Sequence, residues 1–396
     1  SGWTSATRYI ARYNVADNDE FISNIDIRVT GASDLAGNTQ VQYDIADIFN
    51  IDMSNAVVTS VTPSPATITD ANIGAGNFIL DLVYNKAMNT GVKPDITFPT
   101  AGEDPTGAPA TLTQDVGSSF WASNTSFRAI FDVADQNIEM PNIDVRVENG
   151  EDASGNPQSV YLATDNFNID TKNPSVISLN TTTNVIVDGM AVFEIEIVFD
   201  EDMNTSITPS VTFPVENPSS TLSLDAVVWD NFTTYRLTYT VTDVNQNLPD
   251  IDVRVSGGRD PAGNTSVVYD APDRVSINMN NPTVTSLNTN IATIMDADVG
   301  ASSFEITINY DQNMDVGSDP SVTFPTEDPT ATLTYNGTSA WNTATQFIAR
   351  YDVADNGQYL RNIDIRVEGA LDDGGNIKSI YNTADKFSLD LSNPVL

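Results

Sequence analysis

Short alternating runs dominate the chain. Phe304-Glu305-Ile306-Thr307-Ile308-Asn309-Tyr310 alternates apolar and polar side chains with period two, and Ile363-Asp364-Ile365-Arg366-Val367 does the same. A looser run over 347–353 puts Phe347, Ala349, Tyr351 and Val353 on one face, with Ile348, Arg350 and Asp352 on the other. The counterpart over 127–133 keeps the same inward set. Residues two apart in an extended chain share a face, so these runs read as strands with one side buried. Clusters of Asn, Asp, Gly and Pro separate them, as turns between antiparallel strands require. The pattern is strand, almost without helix.

The runs recur. Trp3, Trp121, Trp229 and Trp341 are spaced 118, 108 and 112 residues apart. Fourteen residues after each comes an Asp (Asp17, Asp135, Asp243, Asp355), and 21 further on the Asn of a D-x-x-G-N segment (Asn38, Asn156, Asn264, Asn376). Another 17 residues lead to Asn55, Asn173, Asn281 and Asn393, so the offset from Trp to this last Asn is 52 in all four copies. A second half of the unit is present three times. It holds an aromatic-x-x-x-Met step (Tyr84 to Met88, Phe199 to Met203, Tyr310 to Met314) and, ten residues after each Met, the Phe of a T-F-P triplet (Phe98, Phe213, Phe324). Length varies only between the junction Asn and the Met (33, 30, 33) and between the Phe and the Trp (23, 16, 17). Insertions inside strands would turn core residues outward, so these two windows are expected to hold surface loops.

About seven alternating runs in roughly 110 residues match the strand count and size of an immunoglobulin-like sandwich. The predicted fold is all-β: tandem Ig-like β-sandwich domains of antiparallel strands in a linear array. In the last unit, strands A to G are expected near 284–287, 304–310, 322–324, 331–335, 345–353, 363–367 and 377–391. The D-x-x-G-N segment then forms the F–G turn, and the Asp after the Trp lies in the E–F turn. The expected boundaries are 1–55 for the E–G half of a first repeat, 56–173, 174–281 and 282–393 for whole repeats, and 394–396 for the start of another. Strands E–G alone would leave an apolar face and an open edge bare. The chain therefore reads as a window cut from a longer array.

Charge sharpens this picture. Seventeen Lys plus Arg against 54 Asp plus Glu leave a net −37, which disfavours nucleic acid and anionic lipid as partners. Asp outnumbers Glu by 42 to 12, and Asp favours turns and hard-cation sites over helices. The chain has no His and no Cys. It therefore lacks the usual neutral-pH base, thiol nucleophiles, zinc clusters and disulfides. The missing Cys fits an extracellular bacterial protein, although a cytosolic one can lack it too. No apolar run approaches 18 residues, so no membrane insertion is expected in this segment.

Two repeated polar groups are candidates for chemistry. The pairs Asp34 with Asn38, Asp152 with Asn156, Asp260 with Asn264 and Asp372 with Asn376 fit either a side-chain-capped turn or Ca²⁺ ligation by hard oxygens. The F–G turn lies at the sandwich end opposite the A–B and E–F loops. Asp188 and Asp243 of one unit are thus expected to approach Asp372 and Asn376 of the next, with Asp135 and Asp355 in the equivalent E–F position. A Ca²⁺ ion there would fix the angle between domains. The second group is the outward Asp and Arg of the N/D-I-D-V/I-R-V strand: Asp26 and Arg28, Asp144 and Arg146, Asp252 and Arg254, Asp364 and Arg366. Each Arg is expected to pair with neighbouring strand carboxylates. The Trp and Met residues read as core or sheet cover. Acid pairs such as Asp200 with Asp202 and Asp296 with Asp298 lack the cleft and fixed separation that a glycosidase needs, so no enzyme is expected.

The D-x-x-G-N turn after an alternating strand, the Phe199-Asp200-Glu201-Asp202-Met203 step and the Pro-led junctions (Pro174, Pro282, Pro394) resemble the tandem Ig-like repeats of giant bacterial surface adhesins. The first copy departs from the step, with Asn85 in place of the acid. The acidic, Asn- and Thr-rich composition is similar to that of flavobacterial gliding and attachment adhesins. The resemblance implies an extracellular stalk on the bacterial cell surface, often Ca²⁺-stiffened, that spaces a terminal binding module from the envelope. Its partners would be neighbouring repeats of the same chain. The alternative is a self-assembling filament or sheath whose faces bind other copies laterally.

Overall fold

The computed structural model describes residues 1–393, and they form an all-β protein. The expected start of a further repeat at 394–396 lies outside the described residues. Contacts divide the chain into two compact units: Ser1–Asn173 together with Arg259–Thr265, and Pro174–Gly258 together with the chain from Ser266 onward.

The first unit opens with two hairpins, β1 (Gly2–Ser5) with β2 (Arg8–Ile10) and β3 (Phe21–Val29) with β4 (Tyr43–Asp52). A sandwich follows, made of β5 (Val58–Ser64), β6 (Thr67–Ile68), β7 (Gly74–Tyr84), β8 (Asp95–Thr97), β9 (Leu112–Gln114), β10 (Phe120–Ser123), β11 (Ser126–Val133), β12 (Glu139–Glu148) and β13 (Tyr161–Asp170). One sheet runs β10-β11-β7-β5 with β9 also on β11, and the other runs β6-β13-β12-β8. In strand letters these are A-B-E-D against A′-G-F-C, the arrangement of an immunoglobulin-type sandwich. Alternation does the packing. Phe78, Leu80 and Leu82 of β7 lie opposite Phe131, Ala129 and Phe127 of β11 and are buried with them. Phe167 of β13 closes the core with its ring centroid 4.6 Å from that of Phe78.

The second unit repeats this plan twice. Strands β14 (Val176–Thr181), β15 (Val185–Val187), β16 (Val192–Phe199), β17 (Ser210–Thr212), β18 (Leu222–Trp229), β19 (Thr234–Val241), β20 (Asn247–Ser256) and β21 (Tyr269–Asn278) form sheets β14-β16-β19-β18 and β15-β21-β20-β17. The last sandwich holds β22 (Val284–Thr289), β23 (Thr293–Met295), β24 (Gly300–Tyr310), β25 (Ser321–Thr323), β26 (Leu333–Tyr335), β27 (Ala340–Thr343), β28 (Gln346–Val353), β29 (Tyr359–Glu368) and β30 (Tyr381–Asp390). Its sheets run β22-β24-β28-β26, with β27 on β28, and β23-β30-β29-β25. The seven strands expected from periodicity are all present. Two short ones are added: β23, which pairs in parallel with β30, and β27, which carries Trp341. Residue 377 is not yet in strand G, which begins at Tyr381.

The repeated Trp and Met positions serve the cores. Met88, Met203 and Met314 are buried. Trp121 lies against Tyr84 and Phe127, Trp229 against Phe199 and Tyr235, and Trp341 against Tyr310 and Phe347.

Part of the Asp excess is explained by the F–G pairing. Asp47, Asp165, Asp273 and Asp385 sit at φ between 50° and 56°, a left-handed conformation that Asp and Asn tolerate because short side chains bond locally. Each backbone N–H there donates to the outward Asp of the facing strand: Asp26, Asp144, Asp252 or Asp364, at 2.9–3.0 Å. The register shifts at these points. The Asp of the N/D-I-D-V/I-R-V strand therefore pins a β-bulge. Its Arg neighbour pairs across to Asp44 or Asp270, or along its own strand to Glu148 or Glu368, in exposed contacts of small energetic weight.

The hairpins of the first segment expose side chains that their counterparts bury. Phe49 of β4 is 46% exposed, whereas Phe167, at the same place in β13, is 2% exposed. Phe167→Ala should accordingly cost about 3–5 kcal/mol, while Phe49→Ala costs roughly 1 kcal/mol or less. Chemical denaturation of the two variants checks the contrast.

Candidate site at the D-x-x-G-N turns

Each D-x-x-G-N turn is closed by its own carboxylate. Oδ1 of Asp34, Asp152, Asp260 and Asp372 accepts the backbone N–H of the Asn four residues on, at 2.7–2.9 Å. Oδ2 accepts that Asn's side-chain amide at 2.8–3.0 Å. The intervening Gly (Gly37, Gly155, Gly263, Gly375) takes φ between 87° and 97°, which a side chain would oppose. Both carboxylate oxygens thus work inside the turn. Of the two sequence readings, the hydrogen bonding favours the capped turn for these eight residues.

The Asn then reaches beyond its turn. In the first unit Asn156 Nδ2 donates to the carbonyl of Asp52 at 3.1 Å. Asn264, in the Arg259–Thr265 segment of the same unit, donates to the carbonyl of Asp170 at 2.8 Å and accepts the backbone N–H of Asp70 at 3.0 Å. In the second unit Asn376 Oδ1 accepts the backbone N–H of Asp188 at 3.0 Å. Asp152, Asp260, Asn264, Asp372 and Asn376 are buried, whereas Asp34 and Asn38 are exposed. The turn acts as a peg, set by one saturated side-chain pair and inserted against the A–B loop or the final strand of the preceding segment.

The E–F acids hold the same joints from another side. Asp135 Oδ1 accepts the backbone N–H of Asn137 at 2.7 Å, and Asp243 that of Asn245 at 2.8 Å. Asn137 and Asn245 have positive φ, and their side-chain oxygens accept the backbone N–H of junction residues Asn173 (2.9 Å) and Asn281 (3.4 Å). Asp17, Asp19 and Asn55 form the same chain of contacts. Asp355 caps Gly357 at 3.0 Å.

Electrostatics differ from joint to joint. At the first, Lys86 Nζ lies 2.9 Å from Asp52 and 2.7 Å from the buried Asp152. The ammonium, followed by Ser154, holds Asp52 at about 2, below its ordinary 3.8. Burial pushes Asp152 up, but Lys86 and the Asn156 amide outweigh it and the net shift is down. Burial likewise works against the charge on Lys86, and the two carboxylates more than offset it. In the last joint a neutral amide takes that place: Gln312 Nε2 donates to Asp372 Oδ2 at 2.8 Å and to the carbonyl of Asn280 at 3.0 Å.

A second spot lies beside the peg. Asp70 is pushed above the usual carboxylate range by burial, then by Asp135 and Asp260. Asp188 is pushed up by burial, then by Asp243, with Asp372 adding to it. Asp70 Oδ1, Asp188 Oδ1 and Asn173 Oδ1 are buried without a hydrogen-bond donor. The Asn281 carboxamide lies 2.6 Å from Asp188 Oδ2 and 3.1 Å from the carbonyl oxygen of Ile377. With its nitrogen turned to them it donates to both. Among the described residues no three carboxylates are close enough to hold a metal ion by themselves.

The sequence-predicted residues Asp188, Asp243, Asp372 and Asn376 are thus brought together, as are Asp135, Asp260 and Asn264. Asp34 and Asn38 stand alone as an exposed turn, and Asp355 caps its own loop. Lys86, Asp70, Asn173 and Asn281 were not among the candidates. The constant offset of 52 residues from the Trp was the available signal for the two Asn residues. Lys378, buried in the last sandwich with its pKa pulled down to about 8, bonds the carbonyl of Val367 as Gln158 bonds that of Val147, and takes no part in the joint.

No helix among the described residues is long and apolar enough to cross a membrane. The chain matches no family model and no curated protein.

Asp52 has a depressed folded-state pKa, so its stabilisation is complete above its ordinary value of 3.8 and is lost as pH falls toward about 2. Lys86→Met should remove that acid-labile contribution and cost roughly 1–3 kcal/mol, between the exposed and buried limits for an ion pair. Lys86→Gln, which imitates Gln312, should cost less. Denaturation midpoints between pH 2 and 7 check both.

Proposed function

We propose that this chain is a non-catalytic, extracellular spacer: a run of Ig-like repeats from a large bacterial surface adhesin that holds a binding module away from the cell. The observation that carries this reading is the reuse of one peg. Asn156, Asn264 and Asn376 each bond, through their side chains, the segment that precedes their own sandwich. Within each unit the side chains of these loops bond the segment before them, as neighbour-to-neighbour contacts in a repeat array do.

Ca²⁺ belongs to this proposal at the second spot rather than in the turn carboxylates. The unpartnered oxygens there are carboxylate and amide oxygens, which suit a hard cation. Asp188 and Asp243 would contribute to it in the second unit, and Asp70, Asp135 and Asn173 in the first. A bound ion would neutralise acids that otherwise repel one another.

A second reading, lateral assembly into a filament or sheath, is favoured by one feature. The edge strand β18 runs for eight residues, with one register shift between Leu224 and Ala226, and Leu224, Val227 and Val228 are exposed. The equivalent edges are split into β9 with β10 and β26 with β27. A long apolar edge invites pairing with another chain.

Melting the full chain with Ca²⁺ and with chelator tests the ion. At a hundredfold excess over Kd, binding adds about 2.7 kcal/mol, and Asp188→Asn should diminish the response. A melting temperature that chelation does not change removes Ca²⁺ from the proposal. Association that rises with protein concentration and is abolished by Val227→Lys would replace the spacer with the filament.

A further inference from the structure

Six Asn-x-Ser/Thr triplets occur in the chain, starting at Asn124, Asn180, Asn204, Asn231, Asn264 and Asn336. Such a triplet can accept an N-linked sugar when it lies in an accessible loop. The fold separates the six. Asn264 is buried, and its amide is held by Asp170 and Asp260. Asn180 lies within β14 with its amide on Glu196, and the Asn336 amide is taken by Asp352. Asn204 is half-buried. Asn124 and Asn231 remain, exposed at the tips of the β10–β11 and β18–β19 hairpins. Of these two, only Asn231 is bonded to the hydroxyl of its own triplet. Its Oδ1 accepts the Thr233 hydroxyl at 2.9 Å and the backbone N–H groups of Thr233 and Thr234 at 2.8 and 2.9 Å. All three bonds fall on the oxygen, and the amide nitrogen is left to solvent.

The same turn occurs in every copy. Two residues after each repeated Trp stand Ser5, Ser123, Asn231 and Thr343. The side-chain oxygen of each accepts the backbone N–H of a Thr two residues on: Thr7 at 3.3 Å, Thr125 at 3.2 Å, Thr233 at 2.8 Å and Thr345 at 3.3 Å. Hydroxyls close the turn in three copies, so closure calls for an oxygen and not for an amide. Only the second sandwich adds a carboxamide nitrogen there, between Asp230 and the exposed Phe232.

Three donors on Oδ1 polarise the carboxamide and ease the loss of a proton from its nitrogen. We propose that Asn231 is a glycosylation site, whose Nδ2 takes a sugar from a glycosyl phosphate ester, with Thr233 as the positioning residue. In the transfer a bond forms between Nδ2 and C1 of the sugar. The bond from C1 to the phosphate oxygen breaks, and its electron pair leaves with the phosphate. One amide proton passes to a base of the transferase. A nucleotide sugar and a lipid-linked oligosaccharide are both esters of this class. The glycan would stand at the end of the β18 edge, a bulky hydrophilic cover beside the backbone groups with which another chain would pair. The assignment goes beyond the spacer reading and does not depend on it.

The test is peptide mass spectrometry of the full chain isolated from the cells that make it, with fragmentation that keeps glycans on their side chains. A sugar is expected on Asn231: a single monosaccharide if the donor is a nucleotide sugar, an oligosaccharide if it is lipid-linked. Asn231→Ser, which copies Ser123, should abolish the modification and leave the melting temperature unchanged, which separates modification from folding. Thr233→Ala should abolish it with Asn231 still in place, and Thr233→Ser should retain it. An unmodified Asn231, a sugar that survives Thr233→Ala, or modification at Asn124 or Asn204 in its place overturns the proposal.

Discussion

The joints depend on a single hydrogen-bonding constraint. A carboxylate buried at a turn must find donors, and in Asp152, Asp260 and Asp372 it takes them from the backbone and side chain of the Asn four residues later. That pairing orients the Asn carboxamide, leaving its oxygen and second N–H directed outward. For Asn264 the preceding segment supplies both an N–H at the A–B loop and a C=O at the end of the last strand, while Asn156 meets such a C=O and Asn376 such an N–H. Burial of such groups is tolerable only while each partner is present. The same requirement ties the turn, the loop and the end of the strand into one arrangement.

Electrostatics set the character of each joint around that common peg. Lys86 brings its own cation to the first. Gln312 substitutes an amide at the last. The acids that carry no such partner, Asp70 and Asp188, are held above their ordinary range by burial and by neighbouring acids. The net charge of −37 is therefore unevenly distributed in consequence: part sits on exposed strand faces where it pairs with Arg, part pins β-bulges through Asp26, Asp144, Asp252 and Asp364, and part gathers at the joints.

Much of the fold was legible because period-two alternation maps directly onto sheet faces. Phe304, Ile306, Ile308 and Tyr310 could be assigned inward from spacing alone, and all are buried. The short strands β23 and β27 were not legible: three or four residues give too few alternations to register, and their pairing is decided by neighbours distant in sequence. The bulges were hidden for a related reason, since a left-handed Asp looks like any other polar strand residue until its N–H partner is known. At the candidate site, the recurrence of Asp and Asn was visible but not the direction of their oxygens. The D-x-x-G-N carboxylates turned inward on their own turn. The oxygens left without donors belong to the A–B loop and the junction: Asp70 has no distinctive local motif, and the recurrence of Asn173 showed its place but not where its oxygen points.

The account rests on the Asn peg as the element that ties each turn to the segment before it within a unit. Amide hydrogen exchange of the full chain compared with Asn376→Ala tests it most directly. The backbone N–H of Asp188, which the Asn376 side chain accepts, should be protected in the wild type and exchange faster in the variant, with the sandwiches still folded by circular dichroism. Equal protection in the two, or a wild-type N–H that exchanges freely, would contradict it.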